Sequence, residues 1–218
     1  MDILFQDRRI VVAVKPSGVL STDEPGGMPA LLRQELHTEC IRTVHRLDAP
    51  VSGLMVFARS AYAAGDLSRQ IREGTFEKHY LAVLRGAPPE REGTLTDLLA
   101  RDKETRLTHV VTTREKGVQE ARLRYRVLDS RAGLTLVRVQ LLTGRTHQIR
   151  VQFSSRGLPL FGDRKYGAKD SEKVMALFSC RIGFTHPKTG ERLSFYFDRT
   201  ESEPLNMALE AAKSCGRI

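Results

Sequence analysis

Apolar positions along the chain follow two distinct periods. Between 119 and 129 they alternate strictly: Ala121, Leu123, Tyr125 and Val127 share one side, and Glu120, Arg122, Arg124 and Arg126 the other. That is a strand with one solvated, strongly basic face. After a turn at "SRAG", Val137, Val139 and Leu141 alternate with Arg138 and Gln140, so the two runs predict an antiparallel hairpin. Residues 10–14, "IVVAV", read as a buried strand ended by the turn signal "KPSG", and 53–58 as a second buried strand. "FEKHYLAVLRG" reads as another strand, and "SCRIGFTHPKTGERLSFYF" as a last hairpin turning at 187–190. Helical spacing occurs in four places. "PALLRQELH" has Pro29 at its first position and Leu31, Leu32 and Leu36 on one face. Residues 61–72 have Ser60 as cap and Gly74 as stop. "RTHQIRVQFSSRG" places Ile149 and Phe153 four apart before Gly157, and "EPLNMALEAAKSC" predicts a surface helix. Many antiparallel strands with a few interspersed helices predict an α+β fold.

The 218 residues suffice for one large domain with a small appendage, and 40% apolar residues support a core. The formal charge of +9 changes the picture more. A polyanionic partner explains it economically, with RNA or DNA ahead of a membrane, although a generic basic surface would give the same sum. The excess is clustered: residues 101–126 hold eight Lys or Arg against four acids, and 145–173 seven against three. Three scattered cysteines and six scattered histidines show no disulfide framework and no metal-ligand spacing. No apolar run matches a signal peptide or a membrane helix, so the expected setting is reduced, soluble and cytoplasmic.

Three places could carry chemistry. In "TVHRLDAPVSGLMVFARS", His45, Arg46 and Asp48 lie on a turn before a buried strand. A carboxylate there can be a nucleophile, a base, or simply a turn residue bonding the backbone near Pro50 and Ser52. In "LLTGRTHQIRVQ", Arg145, His147 and Arg150 crowd a helix start, where cations oppose the macrodipole. An anion, either carboxylate or phosphate, would compensate; a surface acid would do so as well. Tyr80 in "EKHYLAVLRG" can pack in the core or offer its face to a base.

"HRLDAPVSGL", "EKHYLAVLRG", "LLTGRTHQIRVQ", "GLPLFGDRKYG" and "FTHPKTGE" occur in this order. Together, from about residue 7 to 198, they resemble the RluA-type family of RNA pseudouridine synthases. The resemblance implies the pseudouridine synthase fold: a mixed, largely antiparallel sheet with flanking helices. It implies a catalytic domain over residues 1–200 followed by a helical tail at 201–218, with no separate N-terminal RNA-binding domain, so that further RNA contacts come from the core or the tail. It implies Asp48 as the essential catalytic carboxylate and Arg46 as the group entering the space left by a flipped nucleotide. Tyr80 would stack on the target base, Arg145 would pair with Asp48, and Leu177 would pack near the base. Val51, Gln152 and the triplet Leu177-Phe178-Ser179 depart from the family's usual Thr, His and Leu-His-Ala.

The implied reaction breaks the C1′–N1 bond of a uridine in ribosomal or transfer RNA, rotates the uracil, and joins C5 to C1′. It needs no cofactor and no obligate protein partner. Attack at C1′, attack at the base and a glycal route are all compatible with these residues. Two rivals compete: a non-catalytic RNA-binding or folding factor retaining the fold, and a carboxylate glycoside hydrolase. The intact Asp48, Tyr80 and Arg145 argue against the first. The second needs a paired acid, and none stands beside Asp48 in the sequence.

Overall fold

The structure, a computed structural model, describes residues 1–169 and 175–197. In chain order the first elements are β1 (Ile3–Gln6), β2 (Ile10–Lys15), α1 (Met28–Glu35), β3 (Arg42–Thr43), β4 (Ser52–Ala58) and α2 (Ala61–Glu73). Then follow β5 (Glu77–Arg85), β6 (Glu92–Arg101), β7 (Thr108–Val111), β8 (Gln119–Arg131) and β9 (Leu134–Leu141). The last are α3 (Gln148–Ser154), a single 3-10 turn at Arg164–Tyr166, β10 (Leu177–Thr185) and β11 (Arg192–Tyr196). This is the expected α+β class. The predicted tail helix at 201–218 lies outside the described residues.

The backbone forms two compact units, one from Met1–Lys78 with Ser179–Asp198 and one built on His79–Phe178. In the first, the strand order is β1-β2-β4-β10-β11, with β3 pairing Phe57 and Ala58 of β4, the same residues that pair Val11 and Ile10 of β2. Strand β2 is buried along its whole length, which is why its sequence is continuous rather than alternating. Ile10, Val12 and Val14 pack with Leu54, Val56 and Ala58 beneath Ala63 and Leu67 of α2, and Phe76 and Phe184 complete the cluster. Each large side chain buried there stabilises the fold by roughly 2 kcal/mol. Helix α2 has the predicted ends: the Ser60 side chain accepts from the Ala63 N–H at 3.2 Å, and Gly74 closes the helix at φ 74°. In α1, Met28 takes the first helical position and Pro29 follows it; the buried face is Met28, Pro29 and Leu32.

The second unit is an antiparallel sheet, β5-β9-β8-β6-β7. The predicted hairpin of β8 and β9 pairs Tyr125 with Val139 and Arg126 with Arg138. Strands β6 and β7 were not legible in the sequence. On β6 the side that includes buried Leu99 also carries Asp97, whose carboxylate accepts from Gln152 and Arg156, and that charge breaks the apolar alternation. Helix α3 also begins later than its spacing suggests. His147 adopts φ 56°, so Arg145–His147 form a turn ahead of the helix rather than its first residues. Ile149 and Phe153 are buried, as their spacing requires.

One backbone constraint in the first unit bears directly on the HRLD segment. Gly53 has φ 118°, and a Cβ there would lie 2.3 Å from the Ser179 carbonyl oxygen. Only glycine lets β4 begin against the neighbouring backbone. The Ser179 hydroxyl bonds the Leu54 carbonyl at 3.0 Å on the same stretch. Gly53→Ala is expected to destabilise the protein by about 3 kcal/mol or more in urea unfolding. A change within about 0.5 kcal/mol, the range of an ordinary surface substitution, would contradict this packing.

Candidate active site

The turn after β3 sorts its side chains by direction. His45 and Leu47 are buried, Arg46 is exposed, and Asp48 is half-buried. His45 takes over where β3 ends. Thr43 pairs with Phe57, and the next free N–H of β4, that of Val56, donates to His45 Nε2 at 3.2 Å. The proton of the neutral ring therefore sits on Nδ1. Burial, helped by the charge of Lys78, pushes the imidazole down to about 3, so it does not titrate near neutrality. Its ring lies 5.4 Å from Phe76. Of the three ionisable groups on this turn, His45 is thus a structural anchor, Arg46 is exposed and Asp48 is half-buried.

A second layer holds the turn from beneath. Ser21 is buried; its hydroxyl donates to the Leu47 carbonyl at 2.8 Å and accepts the Leu47 N–H at 3.0 Å. Gly18 N–H and Ser17 Oγ bond the carbonyls of Ala49 and Pro50. Lys15, wholly buried at the end of β2, donates its ammonium to the carbonyls of Val19 (2.6 Å), Pro16 (2.8 Å) and Ala49 (3.0 Å). Burial lowers its pKa to about 8, and the Asp48 carboxylate opposes that shift. In the sequence "KPSG" reads only as a turn. A lysine closing an otherwise apolar strand was the available signal, because a buried lysine needs carbonyls or an acid beside it.

In the second unit, Tyr80 is 5% exposed on β5 and lies opposite Val139, which lies opposite Tyr125 on the same sheet face. Arg145 is half-buried in the turn before α3. Its Nε donates to the Glu120 carbonyl at 2.9 Å, and its backbone N–H donates to Gln148 Oε1 at 3.0 Å. Gln148 organises this turn: it also accepts from Thr143 Oγ1 at 2.8 Å and donates to the Arg122 carbonyl at 3.0 Å. The cations near α3 therefore have different fates. Arg150 is buried in a bidentate pair with Asp163 at 2.7 and 2.8 Å, beneath the Tyr166 ring. The Tyr166 hydroxyl in turn bonds His147 Nδ1 at 2.8 Å. "GDRKYG" is thus the strap that fixes "GRTHQIR". Leu177, 5% exposed, starts β10.

The departures from the family pattern are accommodated by packing. Val51 is 2% exposed, and Gln152 donates to Asp97 at 2.7 Å from a fully buried position. "FTHPKTGE" is structural too: His186 bonds Asp7 at 3.0 Å and accepts the Thr189 N–H at 3.1 Å. Among the described residues no group of His, Cys, Asp and Glu could hold a metal ion, and no helix is long and apolar enough to cross a membrane.

The chain is similar to known proteins in sequence and in fold. The family model described as RNA pseudouridylate synthase matches residues 9–155. The chain is 35% identical over 208 residues to YlyB of Bacillus subtilis, named an uncharacterized RNA pseudouridine synthase; the match covers 89% of this chain and 68% of that one. It is 33% identical over 205 residues to the ribosomal large subunit pseudouridine synthase C of Haemophilus influenzae, covering 88% of this chain and 63% of that one. Human RNA pseudouridylate synthase domain containing 1 superposes with a TM-score of 0.80 at 26% identity, over 95% of this chain and 86% of that one. The chain belongs to the RNA pseudouridylate synthase family, isomerases that convert uridine in RNA to pseudouridine. It spans 63–68% of the length of the two curated relatives named here.

The anchoring role of His45 has a pH signature. The unfolded ring binds a proton near 6.5 and the folded ring near 3, so the unfolded state carries more protons between these values and stability falls as pH drops through that window. The loss by pH 3 is about 3–5 kcal/mol from this group alone. His45→Gln, measured by urea unfolding from pH 7 to 4, is expected to be less stable at pH 7 but to lose less on acidification. An acid limb as steep as the wild type's would rule out the buried neutral ring.

Proposed function

We propose that this chain isomerises a uridine of ribosomal RNA to pseudouridine, with Asp48 as the catalytic carboxylate. The observation that carries the reading is the turn itself. His45, Leu47, Ser21 and Lys15 fix its backbone, while Arg46 and Asp48 are the side chains it presents. Such fixation suits a group that must meet a reacting carbon in one orientation. The ribosomal assignment follows the large-subunit synthase C relative, with transfer RNA as the second substrate class.

In this reading the target nucleotide leaves its stack, which costs a few kcal/mol. Arg46, exposed and without an ion pair among the described residues, fills the vacated space and offsets part of that cost. Tyr80 stacks on the detached uracil, a contact worth roughly 1–3 kcal/mol in comparable sites. Its position within a strand keeps the ring from following the base as it turns. Arg145 acts as the charge partner of Asp48, and Leu177 bounds the base apolarly. Substrate and product are isomers, so no atom is gained or lost overall: the C1′–N1 bond breaks, C1′–C5 forms, and the proton that leaves C5 is balanced by the one N1 gains.

Asp48→Asn keeps the shape and removes the nucleophilic charge. Turnover of ribosomal RNA, read by carbodiimide labelling, is expected to vanish while RNA affinity stays unchanged or rises. An Asp48→Asn protein that still forms pseudouridine would remove Asp48 from the mechanism, and labelling absent from wild type as well would favour a non-catalytic RNA-binding factor.

Arg46→Ala separates base flipping from simple charge attraction. Single-turnover rates are expected to fall most on a structured stem-loop and least on an unstacked strand, where extrusion costs less. An equal penalty on both RNAs would leave Arg46 as a phosphate contact.

A further inference from the structure

The sheet of the second unit has two faces of opposite character. Tyr80, Val139 and Tyr125 stand in one row across β5, β9 and β8. The adjacent row, His79, Gln140, Arg124 and Thr94, points to the other side. Part of this reverse side is covered: Val83, Leu134 and Leu136 pack under Phe161 and Ala176. The rest is open, and there Arg122, Arg124, Arg126 and Arg138 are all exposed. Glu92, Thr94, Arg124, Arg126, Arg138 and Gln140 are among the residues that line a hollow of about 530 Å³ on it.

The charge on this open half is poorly compensated. Arg126 and Arg138 are direct cross-strand partners, an arrangement that destabilises a sheet when both carry the same charge. Arg124 is two residues along the same strand, about 7 Å away. Two acids share the surface. Glu92 lies 3.9 Å from Arg126, with both side chains about three-quarters exposed, so their attraction is weak. Glu120 pairs with Arg114 at 3.4 Å instead. Arg122, Arg124 and Arg138 make no side-chain ion pair among the described residues. A merely solvated strand face would be served by threonine or by mixed charges, as at Thr94 and Thr96 on neighbouring β6.

We infer that Arg124, Arg126 and Arg138 form a second RNA-binding surface, which takes the phosphate backbone of a segment flanking the target uridine on the sheet face opposite Tyr80. The occupant is RNA because repeated guanidinium groups around a shallow, open hollow suit phosphodiesters spaced along a chain. Of the residues around the hollow only Tyr125 is large and apolar, and its side chain belongs to the opposite face, so a protein partner would find no apolar anchor there. The inference rests on the proposed RNA substrate but not on the chemistry at Asp48. It gives the chain a reach beyond the nucleotide that reacts, so that a large folded RNA is held more tightly than a short one.

The test uses the full chain and the triple variant Arg124→Gln/Arg126→Gln/Arg138→Gln. The probes are in vitro transcribed large-subunit ribosomal RNA and a short oligouridylate, with affinity measured by filter binding across a salt series. Loss of three phosphate contacts is expected to weaken ribosomal RNA binding by tenfold or more at low salt, and to flatten the slope of log affinity against log salt by about 2. Oligouridylate binding should change by less than about threefold. The variant's thermal midpoint should equal or exceed the wild type's, since the like-charge pair is relieved. Unchanged ribosomal RNA affinity and slope in a folded variant would overturn the inference and leave the face to an acidic protein. An equal loss on both probes would overturn it as well, by making the arginines part of one general RNA contact. Because binding is read without catalysis, a wild type that binds but forms no pseudouridine would sink the proposed reaction and leave this surface standing.

Discussion

The Lys15 ammonium is the interaction on which the candidate site depends. A cation buried at the end of β2 is expensive unless its donors are matched, and here three carbonyls match them. Two come from the loop that follows β2, and the third is Ala49, next to Asp48 in sequence. One side chain thus ties β2, its loop and the carboxylate turn together. The same residue supplies a positive charge to Asp48 from below, which the opposing influence of Asp48 on its own proton affinity records. Ser21 and His45 reinforce the arrangement with neutral hydrogen bonds on either side. Rigidity comes from buried backbone contacts, while Arg46, exposed, and Asp48, half-buried, are the side chains proposed for the chemistry.

The five sequence motifs divide by physical role. "HRLD", the tyrosine strand and "GRTHQIR" carry the groups assigned to chemistry and base contact. "GDRKYG" and "FTHPKTGE" hold structure: Asp163 neutralises buried Arg150, Tyr166 steadies His147, and His186 bonds Asp7 across the first unit. Even inside a catalytic motif most residues are supports. In "GRTHQIR", Gln148 satisfies the turn, Arg150 fills a buried ion pair, and Arg145 is held through its Nε by the Glu120 carbonyl. A buried pair of this kind adds little net stability but is costly to break, so Arg150 and Asp163 depend on each other.

Much of this was legible in the sequence. Alternation in 119–129 and 134–141 gave the β8–β9 hairpin in its correct orientation, because one side of that sheet is packed and the other is open over Arg122, Arg124, Arg126 and Arg138. Ser60 and Gly74 gave both ends of α2, because each satisfies a definite backbone need. Strand β6 was hidden by Asp97, a charge on its inward side made tolerable by Gln152 and Arg156, more than fifty residues away. The start of α3 was hidden by the left-handed His147, a conformation that no periodicity reports. Asp48, Arg46, Tyr80 and Arg145 stand out through motif resemblance alone. Lys15, Ser21 and Gln148 do not, since their roles consist of hydrogen bonds to distant backbone, which leave little mark on local pattern. The basic face of β8 was visible as a row of arginines. That it lies opposite Tyr80 required the pairing register.

The central claim is that a buried Lys15 fastens the turn bearing Asp48 and shares its electrostatic environment. The direct measurement is a pH titration of the Lys15 side chain by nuclear magnetic resonance, using isotope-labelled lysine, in the wild type and in Asp48→Asn. Burial places the wild-type midpoint at about 8, far below the ordinary 10.5, and removing the carboxylate should lower it further, because Asp48 is the group that favours the charged form. A midpoint near 10.5 in the wild type would mean that Lys15 is solvated and does not hold the turn. A midpoint that does not move in Asp48→Asn would separate the lysine from the carboxylate.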